Sequence, residues 1–339
     1  MAGSEFLVQR IDEAAWASLA QTFVRRNYQQ GASYAQRAAI DVRAKSEIVA
    51  IYRDRELVGL ASARIRPLPV LPFRIVYVVG GPVYQRFDAT NSEAFAHCAT
   101  ALANHFVTRP GIVLRIAPAS NSADESDMQA AVLAKQGFVP SSARAYRTLM
   151  KRIDEGDVEL RKSFDSRWRR NLVRSEAEAL TVTRSSDVQS LIQLERIHQD
   201  LMQTKAFRTK RDTNFFADVQ ANASEIERLT VHLAWSGDDL IGGHVGCMMG
   251  DTAMYLIGAA SEKGRASRAG YRLHWEFMRY ARDAGAVWYD LCGIDPDGAP
   301  ELYRFKKYLN GVDTTWAGSF DYARDRFSLR AMRLFDRYR

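Results

Sequence analysis

The chain has 339 residues, 47% of them hydrophobic, with 47 Lys and Arg against 40 Asp and Glu for a net charge of +7. That length suits about two domains with sizeable cores, and the basic excess fits phosphate-bearing partners or simply an arginine-rich surface. Three widely spaced cysteines (Cys98, Cys247, Cys292) exclude a disulfide framework and a structural zinc site, and suit a reducing, cytoplasmic setting.

The opening MAGSEF, residues 1–6, has no basic segment or apolar run and reads as a tag remnant. Residues 51–59, IYRDRELVG, then find an echo in residues 234–242, AWSGDDLIG. Each is a strand, a tight polar turn and a second strand. In the first copy LPVLPFRIVYVVGGPV follows; Pro69, Pro72, Arg74 and two glycines break it into a strand pair, so it is no membrane span. A helical period over 92–106 leads through a glycine into the strand GIVLRIAP, and AAVLAKQGFVPSSARAYRTLMKRI supplies another helix and a last strand.

The segment LRKSFDSRWRRNLVRSEAEALTVTRSSD joins the copies. A helix from Ser166 places Arg167, Arg170 and Arg174 on one face. That face is either a solvated basic surface or a phosphate-contacting one with Trp168 as a stacking partner, and the residues favour neither. The second copy repeats the order: TAMYLIGAAS, a helix over 268–284, the strand GAVWYDLCGI, and ELYRFKKYLNGVDTTWAGSFDYA with a helix and a last strand. The order β–β–β–α–β–α–β occurring twice is that of GNAT-type acyltransferase domains. The expected fold is therefore α+β, with mixed sheets in two tandem GNAT-like domains, 7–155 and 156–339, and a C-terminal helix. In that helix Phe327, Ala331 and Phe335 form a stripe among arginines. It either packs on the second domain or touches a membrane surface.

The six histidines (97, 105, 198, 232, 244, 274) show no HExxH spacing, so no metal is expected. Cys292 and His244 have no nucleophile elbow and read as core residues. GNAT enzymes hold the CoA pyrophosphate at a helix N-terminus through [Q/R]xxGxG/A. Counting from Arg265, the second copy has Arg268 where that pattern takes glycine, and YQRFDATNSEAF in the first copy has no glycine. A side chain there obstructs backbone approach to phosphate, so the donor is expected to be something other than a CoA thioester.

Four segments carry a family likeness: YVVGGPVY (77–84), SRWRRNLVRSEAEALTV, YDLCGI (289–294), and RFKKYLNG with the later WAGSFDYA. Together they resemble the FemAB/FemX family of aminoacyl-tRNA-dependent peptidyl transferases. The resemblance implies transfer of an amino acid from aminoacyl-tRNA to an amine of a cell-wall precursor, peptide or similar acceptor. No cofactor is implied beyond the aminoacyl-tRNA co-substrate. Lys306, beside Phe305, matches the family lysine near the transferred acyl group; Asp290 and Gly293 match the strand end that shapes the donor channel. Arg37, Arg64 and Arg66 match first-domain residues that contact acceptor phosphates, and Tyr77 and Tyr255 complete the substrate-binding set. Lys306 is expected to act as a fixed cation for the oxyanion, Asp290 as a base, and Lys307 to face solvent. The long heptad insert of staphylococcal-type members is missing. The expected protein is a monomer, cytoplasmic or at the inner face of the membrane, with a nucleotide- or lipid-linked acceptor. The alternative is a CoA-dependent N-acyltransferase acting on a sugar or peptide amine; a non-catalytic binder of tRNA or precursor is a third reading.

Overall fold

A computed structural model of the chain describes residues 6–68, 73–86, 92–204 and 211–337. Residues 1–5 of the supposed tag remnant lie outside them, as do 69–72 and the 87–91 stretch of YQRFDATNSEAF. Phe6, the last residue of that stretch, opens the first strand. The chain forms two compact units, one running to Tyr146 and resuming at Thr314, the other spanning Arg147–Asp313.

The first unit is built on β1 (Phe6–Arg10), β2 (Lys45–Arg53), β3 (Glu56–Pro67), β4 (Arg74–Val79), β5 (Ile112–Ala117) and β6 (Val139–Pro140). Its helices are α1 (Glu13–Ala20), α2 (Ala32–Asp41), α3 (Ser92–Phe106) and α4 (Ala123–Lys135). Asp12 and Ser122 cap α1 and α4 by accepting from Ala15 N and Glu125 N, satisfying amides that a helix start otherwise orphans. Asp54 and Arg55, both at positive φ, make the β2–β3 turn in the sense that matches strand twist. The apolar face of α3 packs Phe95, Cys98, Leu102 and Phe106 against Val49, Ile51, Val76, Leu114 and Ile116. At 25–30 cal/mol per Å² of buried apolar surface, such packing is the dominant stabilising term.

The second unit contains β7 (Arg147–Arg152), α5 (Asp157–Lys162), α6 (Ser166–Glu176), β8 (Thr181–Ser185), α7 (Val188–Thr204), α8 (Thr213–Ala221), β9 (Leu229–Ser236), β10 (Asp239–Met249) and β11 (Thr252–Ala260). It continues through α9 (Glu262–Ala266), α10 (Ala269–Asp283), β12 (Trp288–Asp290) and α11 (Pro300–Lys307) to β13 (Val312–Thr315), within which the unit ends at Asp313. Sheet order is β13-β7-β12-β11-β10-β9-β8. Gly246 marks a register shift in β10; a Cβ there meets the Phe277 ring at 2.3 Å, so only glycine lets α10 lie this close. Trp168, Trp275, Phe277, Tyr289 and Leu309 form the core.

The chain ends on β14 (Phe320–Tyr322) and α12 (Arg326–Arg337), and both belong to the first unit. The first sheet runs β1-β2-β3-β4-β5-β14-β6. The sequence order assigns each copy its own last strand and a boundary at 155. The structure corrects this: β7, the last strand read for the first copy, lies between β12 and β13, and β14 lies between β5 and β6. The reason is in the side chains. Arg115, an arginine within the buried strand β5, donates through Nε and Nη2 to Asp321 of β14 at 2.7 and 2.8 Å and reaches Asp336 of α12 at 2.6 Å. A buried guanidinium requires such partners. For the same reason α12 packs on the first unit and not the second, its Met332 joining Leu68, Phe73 and Val113.

Candidate active site

The parallel pairing of β11 with β12 covers three residues, Thr252↔Trp288 to Met254↔Asp290, and there it stops. β11 continues to Ala260 paired only with β10, so the two strands splay after Asp290. In the first unit β4 and β5 stay paired from Arg74↔Ile112 to Val79↔Ala117. In the second unit, among the described residues, β11 beyond Met254 thus has no ladder partner on its β12 side.

Lys306 closes this splay from α11. Pro300 sits at the helix start, where a missing N–H costs nothing, and the final turn turns Lys306 inward, 3% exposed, while Lys307 is exposed. The Lys306 Nζ donates to the Gly293 carbonyl at 2.9 Å and to the Cys292 carbonyl at 3.5 Å, and lies 5.2 Å from the centre of the Tyr255 ring. Among the described residues its third N–H has no acceptor. Burial pushes its pKa down to about 8, against the pull of Cys292 and Asp290. At pH 7 such a group remains roughly nine-tenths protonated. Gly293 itself is exposed, so the ammonium sits just beneath the surface.

Asp290 is buried, and its Oδ1 accepts from the Thr148 hydroxyl and from Cys292 N at 2.7 Å. Burial raises its pKa; the Thr148 and Cys292 hydrogen bonds and Lys306 oppose this. Holding Cys292 N fixes the chain as it leaves the strand, where Cys292 adopts φ +55°. Phe305 packs its ring on Tyr271 at 4.9 Å and on His274 at 5.1 Å.

Behind Lys306 lies a buried chain that sequence reasoning treated as core. The Tyr289 hydroxyl sits 2.7 Å from His274 Nδ1 and 2.9 Å from His244 Nε2. Burial pushes His274 down to about 3, reinforced by Lys306, and His244 well below its ordinary value. Both rings are therefore neutral and bring no second positive charge to the lysine. The Tyr289 hydroxyl reaches past β11 to a histidine of β10, a meeting that residue spacing does not show.

The helix start that holds pyrophosphate in CoA-dependent enzymes is altered but not distorted. Arg268 adopts φ +57°, ψ +32° at the N-cap of α10, the left-handed conformation that glycine reaches most cheaply. Its Nε donates to Asn171 Oδ1 at 2.9 Å and its Nη1 to Ala266 O at 3.3 Å; Asn171 Nδ2 in turn donates to the Tyr271 hydroxyl at 3.2 Å. A fixed guanidinium thus stands where glycine would leave the backbone open.

Asn171 belongs to α6, which Asp165 caps through Arg167 N. Arg167, Arg170 and Arg174 all lie on its exposed face, Arg167 donating to the Tyr308 hydroxyl at 2.7 Å. Trp168 is not a stacking partner for nucleic acid. It is fully buried against Phe164 and Tyr271, because Trp168, Leu172 and Ser175 form the opposite, inward face of the same helix.

The acceptor-side candidates lie in the first unit. Arg64 stacks 5.3 Å over the ring of Tyr77, its neighbour across β3 and β4. Arg66 is half-buried opposite Ile75, and Arg37 of α2 is paired with Asp41. The adjoining Gly80-Gly81-Pro82 turn rests on Gln30, which bonds Val79 O at 2.8 Å and Ser62 N at 2.8 Å; a Cβ on Gly81 would overlap Gln30 at 2.4 Å. The structure thus groups Lys306, Asp290, Gly293, Phe305 and Tyr255 in one place and the α6 arginines on the same unit; Arg37, Arg64, Arg66 and Tyr77 belong to the other.

A splayed parallel strand pair closed by a helix, in one of two like units, defines an acyltransferase of the tandem GNAT kind. The chain belongs to the acetyltransferase (GNAT) domain family, whose family model matches residues 138–307, half of the chain. Its further similarities are to a glycyltransferase and to FemX. The lipid II:glycine glycyltransferase of Staphylococcus aureus strain MRSA252 is 23% identical to it over 351 aligned residues, covering 81% of this chain and 83% of the relative. A crystal structure of FemX matches with a TM-score of 0.81 at 19% identity, over 96% of this chain and 100% of that one. The C-terminal domain of a putative lysylphosphatidylglycerol synthetase from Agrobacterium fabrum matches with a TM-score of 0.55 at 12% identity, over 96% and 97%. These two structures share the fold.

Proposed function

We propose that this protein is an N-aminoacyltransferase that moves an amino acid from aminoacyl-tRNA to an amine of a cell-wall precursor, peptide or similar acceptor. The observation that carries the reading is the Lys306 ammonium, buried at the strand splay with one N–H uncommitted. A neutral acceptor amine attacks the ester carbonyl, and the C–N bond forms as the carbonyl oxygen takes up negative charge. Lys306 supplies the fixed cation for that oxygen in a site where water is scarce. Collapse expels the tRNA 3′ oxygen and leaves an amide; the amine proton passes to the leaving oxygen, directly or through water. Asp290, buried and held by Thr148 and Cys292 N, serves in this account as the anchor of the strand end and counter-charge of Lys306, in place of the general base expected from sequence. Phe305 and Tyr255 flank the ammonium, and the exposed arginines of α6 contact tRNA phosphates. Arg64, Arg66, Arg37 and Tyr77 contact the acceptor. No cofactor is required.

The named activity of the staphylococcal relatives, glycyl transfer to lipid II, supports a lipid-linked, amine-bearing acceptor. Arg268 in the pyrophosphate position argues against the CoA-dependent alternative. The test is amide formation with charged tRNA and candidate amines, with RNase pretreatment and with acetyl-CoA as replacement donor. The reading expects product only with intact charged tRNA; product that survives RNase and requires CoA refutes it.

A further inference from the structure

We propose that the outer face of α12 is a docking surface for an anionic lipid bilayer, with Phe327 and Leu334 entering the headgroup region. The inner side of this helix is fully accounted for. Ser328 Oγ accepts from Gly111 N at 3.0 Å, Met332 fills the cluster of Leu68, Phe73 and Val113, and Ala331 and Phe335 pack beside it. Both acids of the segment are committed to the protein: Asp325 accepts from Ser328 N and Oγ, each at 2.7 Å, and Asp336 binds Arg115.

Among the described residues, the outer side carries only cations and apolar groups. Arg326, Arg330, Arg333 and Arg337 are all exposed. Phe327 and Leu334, two turns apart and so on one side of the helix, are 70% and 55% exposed, Phe327 touching Phe73 with its ring centre 5.8 Å away. Arg74 and Arg109, exposed next to Gly111 at the helix start, extend the positive border. The helix is seated as a platform: polar and apolar anchors hold it from below, while an aromatic and a leucine project among four arginines. Arginines alone would suit any polyanion. Two large apolar side chains held in water among them gain most from a surface that is anionic outside and apolar a few ångströms further in.

This proposal stands apart from the choice of acyl donor, since none of its residues belongs to the catalytic set. The full-length protein is tested by vesicle flotation, using phosphatidylcholine with and without phosphatidylglycerol. Binding is expected only to the phosphatidylglycerol vesicles and is expected to be reversed by salt. R330Q/R333Q is expected to weaken it about 30-fold, and F327S/L334S about tenfold or more. R330Q/R333Q should leave the melting temperature unchanged and F327S/L334S lower it only slightly through the lost Phe73 contact, while neither should alter turnover on a water-soluble acceptor, so failure here is separable from failure of the aminoacyl-transfer reading. No binding, equal binding to neutral vesicles, or undiminished binding by F327S/L334S overturns the proposal. So does binding of a free RNA oligonucleotide through the same arginines without vesicle binding, which would make this face an RNA surface.

Discussion

Replacing Lys306 by methionine removes the charge while keeping most of the side-chain volume, and the structure predicts opposite effects on stability and rate. A lysine pushed from 10.5 to about 8 by burial holds its ammonium in the fold at a cost of about 3 kcal/mol relative to the unfolded chain. Methionine removes that cost but leaves the Gly293 and Cys292 carbonyls without their donor, a loss of about 1–3 kcal/mol. The net expectation at pH 7 is a protein as stable as the parent, or more stable by about 1–2 kcal/mol. The folded lysine loses its proton near pH 8 while the unfolded one keeps it to about 10.5, so the parent gains stability as pH rises across that window and any advantage of K306M shrinks. Turnover should fall by on the order of 10²–10³ because the oxyanion loses its cation. Urea unfolding at pH 7 and pH 9.5, with single-turnover amide formation, measures both. A variant destabilised by more than about 3 kcal/mol makes Lys306 a structural residue. A variant turning over within about threefold of the parent removes it from the chemistry.

Arg115→Met should cost about 3–5 kcal/mol in urea unfolding, because it strands two buried carboxylates, Asp321 and Asp336; a loss below about 1 kcal/mol contradicts the account of why β14 joins β5. Arg268→Gly relieves the left-handed backbone and reopens the helix start, so calorimetry should show CoA binding strengthened about tenfold, and unchanged affinity would show that Arg268 does not close that site. R170Q/R174Q should lower the slope of log K against log salt for tRNA binding by about 2; an unchanged slope makes the outer face of α6 a solvated surface.

Much of the fold was legible because periodicity is a local property. The helix over 92–106, the helix beginning at Ser166 and both hairpins follow from residue spacing alone. Strand partnership is not local, so nothing in the spacing of RTLMKR or SFDY shows which sheet receives it. The clue lay in a charge: Arg115 in the buried strand of GIVLRIAP demanded carboxylates, and Asp321 supplies them. On α12 the stripe of Phe327, Ala331 and Phe335 is a plausible apolar line, yet the capped Ser328 and the buried Met332 fix a different inner face and turn Phe327 outward. The basic face of α6 already placed Trp168 on the opposite side, a consequence that follows from the same spacing. Of the double lysine, spacing shows only that one residue can point inward; the splay of β11 from β12, which gives the inward one its role, arises from where pairing stops.

Whether a protonated, buried Lys306 serves transfer from an aminoacyl ester is read from the pH dependence of single-turnover amide formation from charged tRNA at saturating acceptor, measured on the parent and K306M side by side. The ratio of the parent rate to the K306M rate, which cancels the rise as the acceptor amine loses its proton, should be on the order of 10²–10³ at low pH and fall with an apparent pKa of about 8 as pH rises. A ratio that stays constant across this range would contradict that role for Lys306.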